Sequence, residues 1–220
     1  MNIKDYHQED LTSSQDIDTT VTDLEKSAAD WVEQAAKKTH AVSGSTYVKL
    51  DRGVMTVDQL DAFLKALPLE LSFVDENNQF LYYNQQMSGD KMLAKRFPQQ
   101  VGNPLSEVHP PQALEHVKQV VNKLRQGQET IVKLPVPGYD ENHFEVHYYG
   151  AMHDKDGAYR GINEWVVDLM PTIKWYLQQT GQKLVPDENK TVDTTTGASQ
   201  QLKTQESEQP DANTGASQHQ

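Results

Sequence analysis

The stretch LPLELSFVDENNQFLYYN, residues 67–84, decides the fold that the sequence predicts. Two apolar runs rich in Leu, Phe, Val and Tyr flank the polar segment DENN at residues 75–78. Asn and Asp tolerate positive φ angles and hydrogen-bond to their own backbone, so this segment favours a tight turn between antiparallel strands. We therefore predict a β-hairpin over residues 67–84 as the first pair of strands in a larger sheet.

Downstream segments supply the rest of that sheet. Three further strands are predicted over residues 130–136, 143–153 and 159–168. The segment DKDG at residues 154–157 separates the last two and is a strong hairpin signal. The fold class is therefore α+β, with a five-stranded antiparallel sheet and helices on one face.

Helices are predicted where apolar residues recur at three- and four-residue steps, the spacing of one helical face. Four such segments follow the start of the sheet domain, and Pro68 and Pro98 end the first two. Their predicted ranges are residues 55–67, 84–97, 112–125 and 170–179.

The two ends of the chain differ from this middle part. Residues 1–45 form an acidic leader in which Val21, Leu24, Ala28 and Trp31 predict an amphipathic helix over 20–38. Its narrow apolar stripe predicts packing on another part of the molecule or on a second copy. Residues 46–180 are assigned to the sheet domain. Residues 181–220 are predicted to be a disordered, low-complexity tail in which TGASQ occurs twice.

Charge and composition exclude several classes of function. The formal net charge is −12, and the two ends carry most of it, with nine acidic and four basic residues in 1–45 and six and three in 183–220. Nucleic acids and anionic membranes normally require a basic surface, so we expect neither as a partner. The chain has no cysteine, which excludes thiolate chemistry and Cys-based metal sites. No signal peptide or membrane span is visible, and a cytoplasmic location is expected.

Motifs along the middle of the chain resemble one family. They are Leu67-Pro68, a Phe-Val-Asp turn at 73–75, an Arg-Phe-Pro segment at 96–98, Gly102, His-Pro-Pro at 109–111, Gly127, and DKDG at 154–157 followed by Gly161 and Glu164. In this order, over about residues 53–168, the sequence resembles a bacterial subfamily of PAS sensor domains. Members of that subfamily stand alone or follow hemerythrin-like and uncharacterised helical modules.

Two positions depart from the pattern of that subfamily. Members commonly place Cys before His-Pro-Pro, where this chain has Val108, and often carry a second His at the position of Glu115, with His116 here one place along. A metal or redox role based on a Cys–His pair is therefore not expected.

The resemblance implies a ligand pocket between helices and sheet. His109 is the first candidate, either as an axial ligand to haem or as a polar contact to a small ligand; the alternative is that it caps a helix or bonds a backbone group. Haem is the first cofactor considered and flavin the second. The predicted pocket residues are Phe73, Phe97, His109, Leu114, Val117 and Tyr148.

Alternation along residues 143–153 divides the predicted strand into two faces. His143, His147 and His153 share one face with Tyr149, and we expect that face to point outward, with Tyr148 on the face toward the core. Two His residues four positions apart on a strand are about 13 Å apart, too far to share a metal. No metal site is predicted.

No motif in the sequence supports catalysis. The paired acids at 75–76 and 140–141 lie in predicted turns, where solvated carboxylates are expected, and neither a nucleophile elbow nor a phosphate loop occurs. The chain is therefore interpreted as a stand-alone cytoplasmic sensor or interaction module that signals through flanking helices to a separate effector protein. A homodimer is also predicted. A haem- or flavin-binding redox sensor is the alternative, and an enzyme of unknown type is the third reading.

Overall fold

The computed structural model describes residues 11–14 and 17–188. Five α-helices occur in this part of the chain: α1 (Trp31–Thr39), α2 (Val57–Ala66), α3 (Leu105–Val108), α4 (Leu114–Arg125) and α5 (Met170–Thr180). Among the described residues, none of the helices combines the length and the apolar composition needed to span a bilayer.

Within the described residues, seven β-strands form two sheets. A small hairpin pairs β1 (Tyr47–Leu50) with β2 (Gly53–Thr56). The main sheet contains β3 (Glu70–Asp75), β4 (Phe80–Tyr83), β5 (Ile131–Pro135), β6 (Glu145–His153) and β7 (Tyr159–Asp168). Its strand order is β4-β3-β7-β6-β5, and every neighbouring pair is antiparallel. This confirms the predicted α+β fold class and the five-stranded antiparallel sheet.

Helix α4 covers one face of the main sheet. Its apolar stripe of Val117, Val120, Val121 and Leu124 is buried because these residues recur at three- and four-residue steps. They share one hydrophobic cluster with Val74, Phe80 and Ile162 of the sheet and with Leu105 of α3. The core of the domain therefore lies between α4 and the sheet.

The predicted hairpin at residues 67–84 is confirmed. Strand β3 ends at Asp75 and β4 begins at Phe80, with Asn78 at a φ of 63° in the turn. The Oδ1 atom of Asp75 accepts hydrogen bonds from the backbone N–H groups of Asn77 and Gln79. The turn is therefore stabilised by its own side chain, as the residue types predict.

The acidic pair in this turn is buried, which corrects the prediction of solvated carboxylates. Asp75 and Glu76 are 1% and 5% exposed. The Thr20 hydroxyl donates a 2.6 Å hydrogen bond to the second oxygen of Asp75. The side-chain amide of Gln79 bonds both the N–H and the carbonyl of Val21. Burial raises the pKa of Asp75 even though the Thr20 hydroxyl and the backbone N–H groups of Asn77 and Gln79 oppose the rise.

The predicted helix over residues 20–38 is wrong in its first half. Helix α1 begins only at Trp31, because Asp23 and Ser27 adopt φ angles of 57° and 60° that interrupt a right-handed helix. The apolar stripe of the segment is nevertheless used inside the chain. Trp31 is 4% exposed and lies with Leu11 and Ala35 in the same cluster as α4, so these side chains are not available to a second copy.

The predicted short helix over residues 84–97 is also wrong. Its segment consists of turns and bends, followed by a single 3-10 turn at Pro98–Gln100. The backbone N–H groups of Leu93 and Ala94 bond the Glu70 carboxylate instead of helix carbonyls. A long-range contact therefore replaces the local hydrogen bonds that the spacing predicted. The predicted disordered tail over 181–220 lies, from residue 189 on, outside the described residues.

The contact between α1 and the loop before α3 gives a test of the packing of the N-terminal segment. Gly102 has a φ of 91°, and a Cβ atom there would lie 2.0 Å from Cε2 of Trp31. Gly102→Ala is expected to lower the free energy of unfolding by about 3 kcal/mol or more, because strain and overpacking add. Gly127→Ala is the matched control: its φ is 69° but no atom lies within 4 Å of the new Cβ, and about 1 kcal/mol is expected. Urea unfolding measures both, and equal losses would contradict this packing.

Candidate functional site

An internal cavity lies between α4 and the main sheet, with α3 and the segment before it closing one side. The space inside it that is open to the centre of a water molecule is about 40 Å³. A single water needs roughly 10–15 Å³ of such space, so the cavity has room for a few small atoms. The lining residues are Val74, Phe80, Arg96, Leu105, Val108, His109, His116, Val117, Val120, Val121, Leu134, Tyr149, Ile162 and Glu164.

Most of this wall is aliphatic, and five polar side chains interrupt it. Helix α4 contributes His116 and three valines, and the sheet contributes Tyr149 from β6 and Glu164 from β7. Tyr149 and Glu164 are direct partners across the two strands, so both side chains lie on the same face of the sheet. The cavity is therefore an apolar space with a polar end built by adjacent central strands.

A buried ion-pair network forms this polar end. The guanidinium of Arg96 donates a 2.7 Å hydrogen bond to one oxygen of Glu164. Nδ1 of His147 lies 3.1 Å from the other oxygen of Glu164, and Nε2 lies 3.1 Å from Glu145. The Tyr149 hydroxyl lies 3.2 Å from the same Nδ1. Each oxygen of the Glu164 carboxylate thus has a partner with an N–H group, which buried charges require.

The network fixes the charges of its members. Burial alone would lower the pKa of His147, but its hydrogen bonds to Glu145 and Glu164 and their negative charges raise it to about 9. Burial alone would raise the pKa of Glu164, but the charge of Arg96 and the hydrogen bond from His147 hold it well below its usual range. Near neutral pH the Glu164 carboxylate therefore lies between two positive groups, Arg96 and His147.

His109, the first candidate of the sequence, lines the cavity and also bonds the backbone. Its Nδ1 lies 3.0 Å from the carbonyl oxygen of Leu105, which accepts only, so Nδ1 carries the proton and donates. Burial and the nearby positive charge of Arg96 lower the pKa of His109. The ring is therefore neutral near pH 7, and its Nε2 is left as an acceptor.

His116 is the residue with an unsatisfied polar atom in this wall. It lines the cavity from the first turns of α4, and its Nε2 is buried without a hydrogen-bond partner in the described part of the protein. Leaving a buried polar atom unpaired costs about 1–3 kcal/mol. Sequence reasoning noted His116 only as a departure from the family pattern and gave it no role.

The other predicted pocket residues are placed differently. Val117 lines the cavity beside His109, and Leu114 packs against the hydrophobic cluster without lining the cavity. Phe97 is 43% exposed in the segment before α3. Phe73 and Tyr148 lie on the opposite face of the sheet, where Tyr148 stacks on Trp165 with ring centres 5.1 Å apart.

The face assignment along β6 is therefore wrong for its central residues. Tyr149 points toward α4, and His147 on the same face is buried, whereas Tyr148 lies on the far side. The prediction placed the His set outside because the opposite, aromatic-rich face of the strand was expected to point toward the core. Arg96 lies in a loop far from this strand in sequence, and its guanidinium pairs with the buried Glu164. No local feature of the strand predicts this ion pair.

The dimensions of the cavity also test the cofactors considered from the sequence. Haem and flavin are fused-ring systems many times larger than a water molecule, and a space of about 40 Å³ does not fit either of them. His109 has a free Nε2, but the wall around it leaves no room for a macrocycle. In the part of the chain that the structure describes, no three side chains of His, Asp or Glu are grouped as a metal would require.

Arg96 and Glu164 also line the cavity and were not among the predicted pocket residues. Both occur among the motif positions, in the Arg-Phe-Pro segment and at the end of the closing hairpin. The available signal was the charge of Glu164 within a run of Ile, Trp and Val that otherwise reads as a buried strand. Their pairing across 68 positions requires the fold.

The raised pKa of His147 predicts how stability depends on pH. A His whose pKa is about 9 when folded and 6.5 when unfolded stabilises the fold fully below pH 6.5, and this contribution is lost as pH rises through 9. The free energy of unfolding should fall by about 3 kcal/mol across this range. His147→Gln should flatten the profile, whereas His153→Gln, an exposed His on the same strand, should leave it unchanged. Urea unfolding at half-unit pH steps measures this, and an unchanged slope in His147→Gln would disprove the assignment.

Comparisons with known proteins agree with this architecture. A family model described as a PAS domain matches residues 60–170, half of the 220-residue chain. The crystal structure of a C-terminal domain from Streptococcus mutans is 34% identical, with a TM-score of 0.55. The match covers 60% of this chain and 98% of that one. No curated protein matches the chain.

More distant structures are similar as well. VqmA of Vibrio cholerae, solved in a complex with ligand and DNA, is 24% identical with a TM-score of 0.40, and the match covers 60% of this chain and 62% of that one. The PAS domain of BvgS from Bordetella pertussis is 12% identical with a TM-score of 0.34, covering 57% and 96%. The family model and the Streptococcus domain together carry the assignment: this chain belongs to the PAS domain family.

Proposed function

We propose that the chain is a PAS sensor module that takes a small molecule into the cavity beside α4 and reports its presence to a separate partner protein. Membership of the PAS family supports a sensory or interaction role. The observation that carries the ligand proposal is the cavity itself, an apolar space that ends on the Arg96–Glu164 ion pair. Small-molecule sites typically combine such an apolar wall with a few fixed polar groups.

Hydrogen bonds connect this site to the flanking helices. Glu164 lies on β7, and at the end of that strand the Asp168 carboxylate accepts the N–H of Met170, the first residue of α5. The same carboxylate oxygen accepts the N–H of Phe144 before β6. A ligand that shifts Glu164 would therefore act on the strand that anchors the first turn of α5. This supports α5 as an output element.

Helix α2 has a comparable connection. The Asn84 side chain donates to the carbonyls of Leu64 and Leu69 and accepts the N–H of Leu71. It therefore fastens the end of α2 to β3, the strand that carries Glu70. We propose that α2 is a second output element.

A matched pair of variants at Val117 tests whether a ligand occupies the cavity. Val117→Phe fills the space and should abolish binding, whereas Val117→Ala enlarges the space and should retain it. The native protein should gain about 5 °C or more in Tm when a small-molecule extract of the native host is added, because a ligand at 100 times its Kd contributes about 2.7 kcal/mol. Val117→Ala should gain similarly and Val117→Phe should not. An equal gain in Val117→Phe would exclude the cavity as the site.

We propose further that the β1–β2 hairpin and α2 form the contact with a second copy. Tyr47, Val54 and Phe63 are 71%, 62% and 55% exposed, and α2 buries none of its residues in the described part of the chain. Large apolar side chains exposed together support an interaction surface. This surface replaces the apolar stripe of the N-terminal segment as the proposed contact with a second copy, because that stripe packs on the core of its own chain.

Charge substitution tests that surface. Val54→Lys combined with Phe63→Lys should convert a dimer to a monomer in light scattering, because each face of a symmetric contact would carry two added charges. Val185→Lys, at an equally exposed apolar residue outside these elements, should leave the mass unchanged. A monomeric native protein, or a dimer that survives the double substitution, would contradict the proposal.

Haem or flavin sensing is the alternative function. It would require a wider cavity, and an absorbance spectrum of the protein titrated with haem would show a Soret band that His109→Ala removes. Placement in the His-Pro-Pro subfamily, a cytoplasmic location, a non-catalytic role and the absence of nucleic acid among the partners stay predictions. The VqmA structure contains DNA, but that property belongs to VqmA.

A further inference from the structure

The outer edge of β1 is a strand edge without a neighbour. Its sheet contains two strands in the described part of the chain, and α2 begins directly after β2. An isolated two-stranded hairpin is marginally stable in water, and an exposed strand edge is a template for a further strand. Resting on the proposed contact with a second copy, we propose that β1 pairs antiparallel with β1 of that copy, so that the two hairpins form one four-stranded sheet.

The register of the hairpin shows which backbone groups face this edge. The N–H of Val57 donates to the carbonyl of Thr46, so these two residues are a hydrogen-bonded pair just beyond the strands. Hydrogen-bonded and non-hydrogen-bonded pairs alternate along an antiparallel ladder, so Val48 is the next residue of β1 that bonds across the hairpin. Tyr47 and Lys49 therefore direct their N–H and C=O groups outward, to the free edge.

A two-fold axis limits how two such edges can pair. With the axis at Val48, Tyr47 lies opposite Lys49 of the second copy, and the pair exchanges both of its N–H···O=C bonds, which the axis repeats. With the axis at Lys49, the two lysines would lie directly opposite each other, and like charges in that position are destabilising. With the axis at Tyr47, a single bonded pair would lie inside β1. The axis at Val48 therefore gives the most hydrogen bonds and avoids the repulsion.

The side chains on both faces agree with this register. On one face Val48 lies opposite Val48 of the second copy, and Met55 flanks each of them within its own hairpin, so an apolar row crosses all the strands. On the other face Tyr47, which is 71% exposed, lies beside the second copy's Lys49. A lysine next to an aromatic ring is favourable, and its aliphatic stem covers part of the ring. Pairing therefore removes apolar surface from water on both faces.

The absence of cysteine from the native chain allows a direct test of this register. In a non-hydrogen-bonded antiparallel pair the Cα atoms are about 4.5 Å apart, which suits a disulfide. Under mild oxidation, the full chain with Val48→Cys should therefore form a covalent dimer, detected on a non-reducing gel. Val54→Cys is the matched control, because its side chain is 62% exposed but β2 and its copy would lie about 14 Å apart. No disulfide spans that distance, so at least about tenfold slower linking is expected.

A second pair of variants tests the backbone hydrogen bonds. Lys49→Pro removes an N–H that points away from the hairpin, so the bonds between β1 and β2 stay intact. Both copies lose this donor by symmetry, and the Kd of the dimer should rise about tenfold or more. Lys49→Ala keeps the N–H and should change the Kd by no more than about threefold, as exposed substitutions usually do. Light scattering over a range of protein concentrations measures both values.

The results separate the edge pairing from the broader dimer contact. Linking of Val54→Cys as fast as Val48→Cys, or equal Kd values for Lys49→Pro and Lys49→Ala, would overturn the edge pairing. A native dimer in the same experiments would leave the proposed contact through the hairpin and α2 standing. A native protein that is monomeric would overturn both proposals.

Discussion

The buried carboxylate of Glu164 is the constraint on which the rest of the domain depends. A carboxylate in the centre of a sheet is tolerated only if both oxygens are paired, and here Arg96 and His147 pair them. This requirement fixes the irregular segment that carries Arg96 over the sheet and places the protonated His147 beside β7. Glu70 on β3 secures the same segment through two backbone N–H groups.

The cavity lies next to this arrangement. The valines of α4 pack against the sheet, and the space remains where the aliphatic wall meets Arg96, Glu164 and His116. The group that stabilises the fold is therefore also the group that a ligand would meet, which links occupancy to the strand leading into α5.

The N-terminal segment adds a second set of long-range polar contacts. Thr20 bonds Asp75, and the backbone of Val21 bonds Gln79 on both sides, so the segment is held to the β3–β4 turn rather than loosely attached. Ser27 and Asn103 exchange two further hydrogen bonds close to α3. Because α3 also borders the cavity, the segment stabilises the same side of the domain as the ligand site.

Local pattern determined the order of the strands in the main sheet, the hairpin at Asp75–Asn78, the helix that became α4 and the family, because alternation, helical spacing and turn residues act over a few positions. His109 could be singled out because its two prolines fix its local geometry. Tertiary structure alone decided the start of α1 at Trp31, the unwound segment before Pro98 and the inward face of His147. The last two depend on partners far along the chain, namely Glu70 and Arg96, and local periodicity contains no information about such partners.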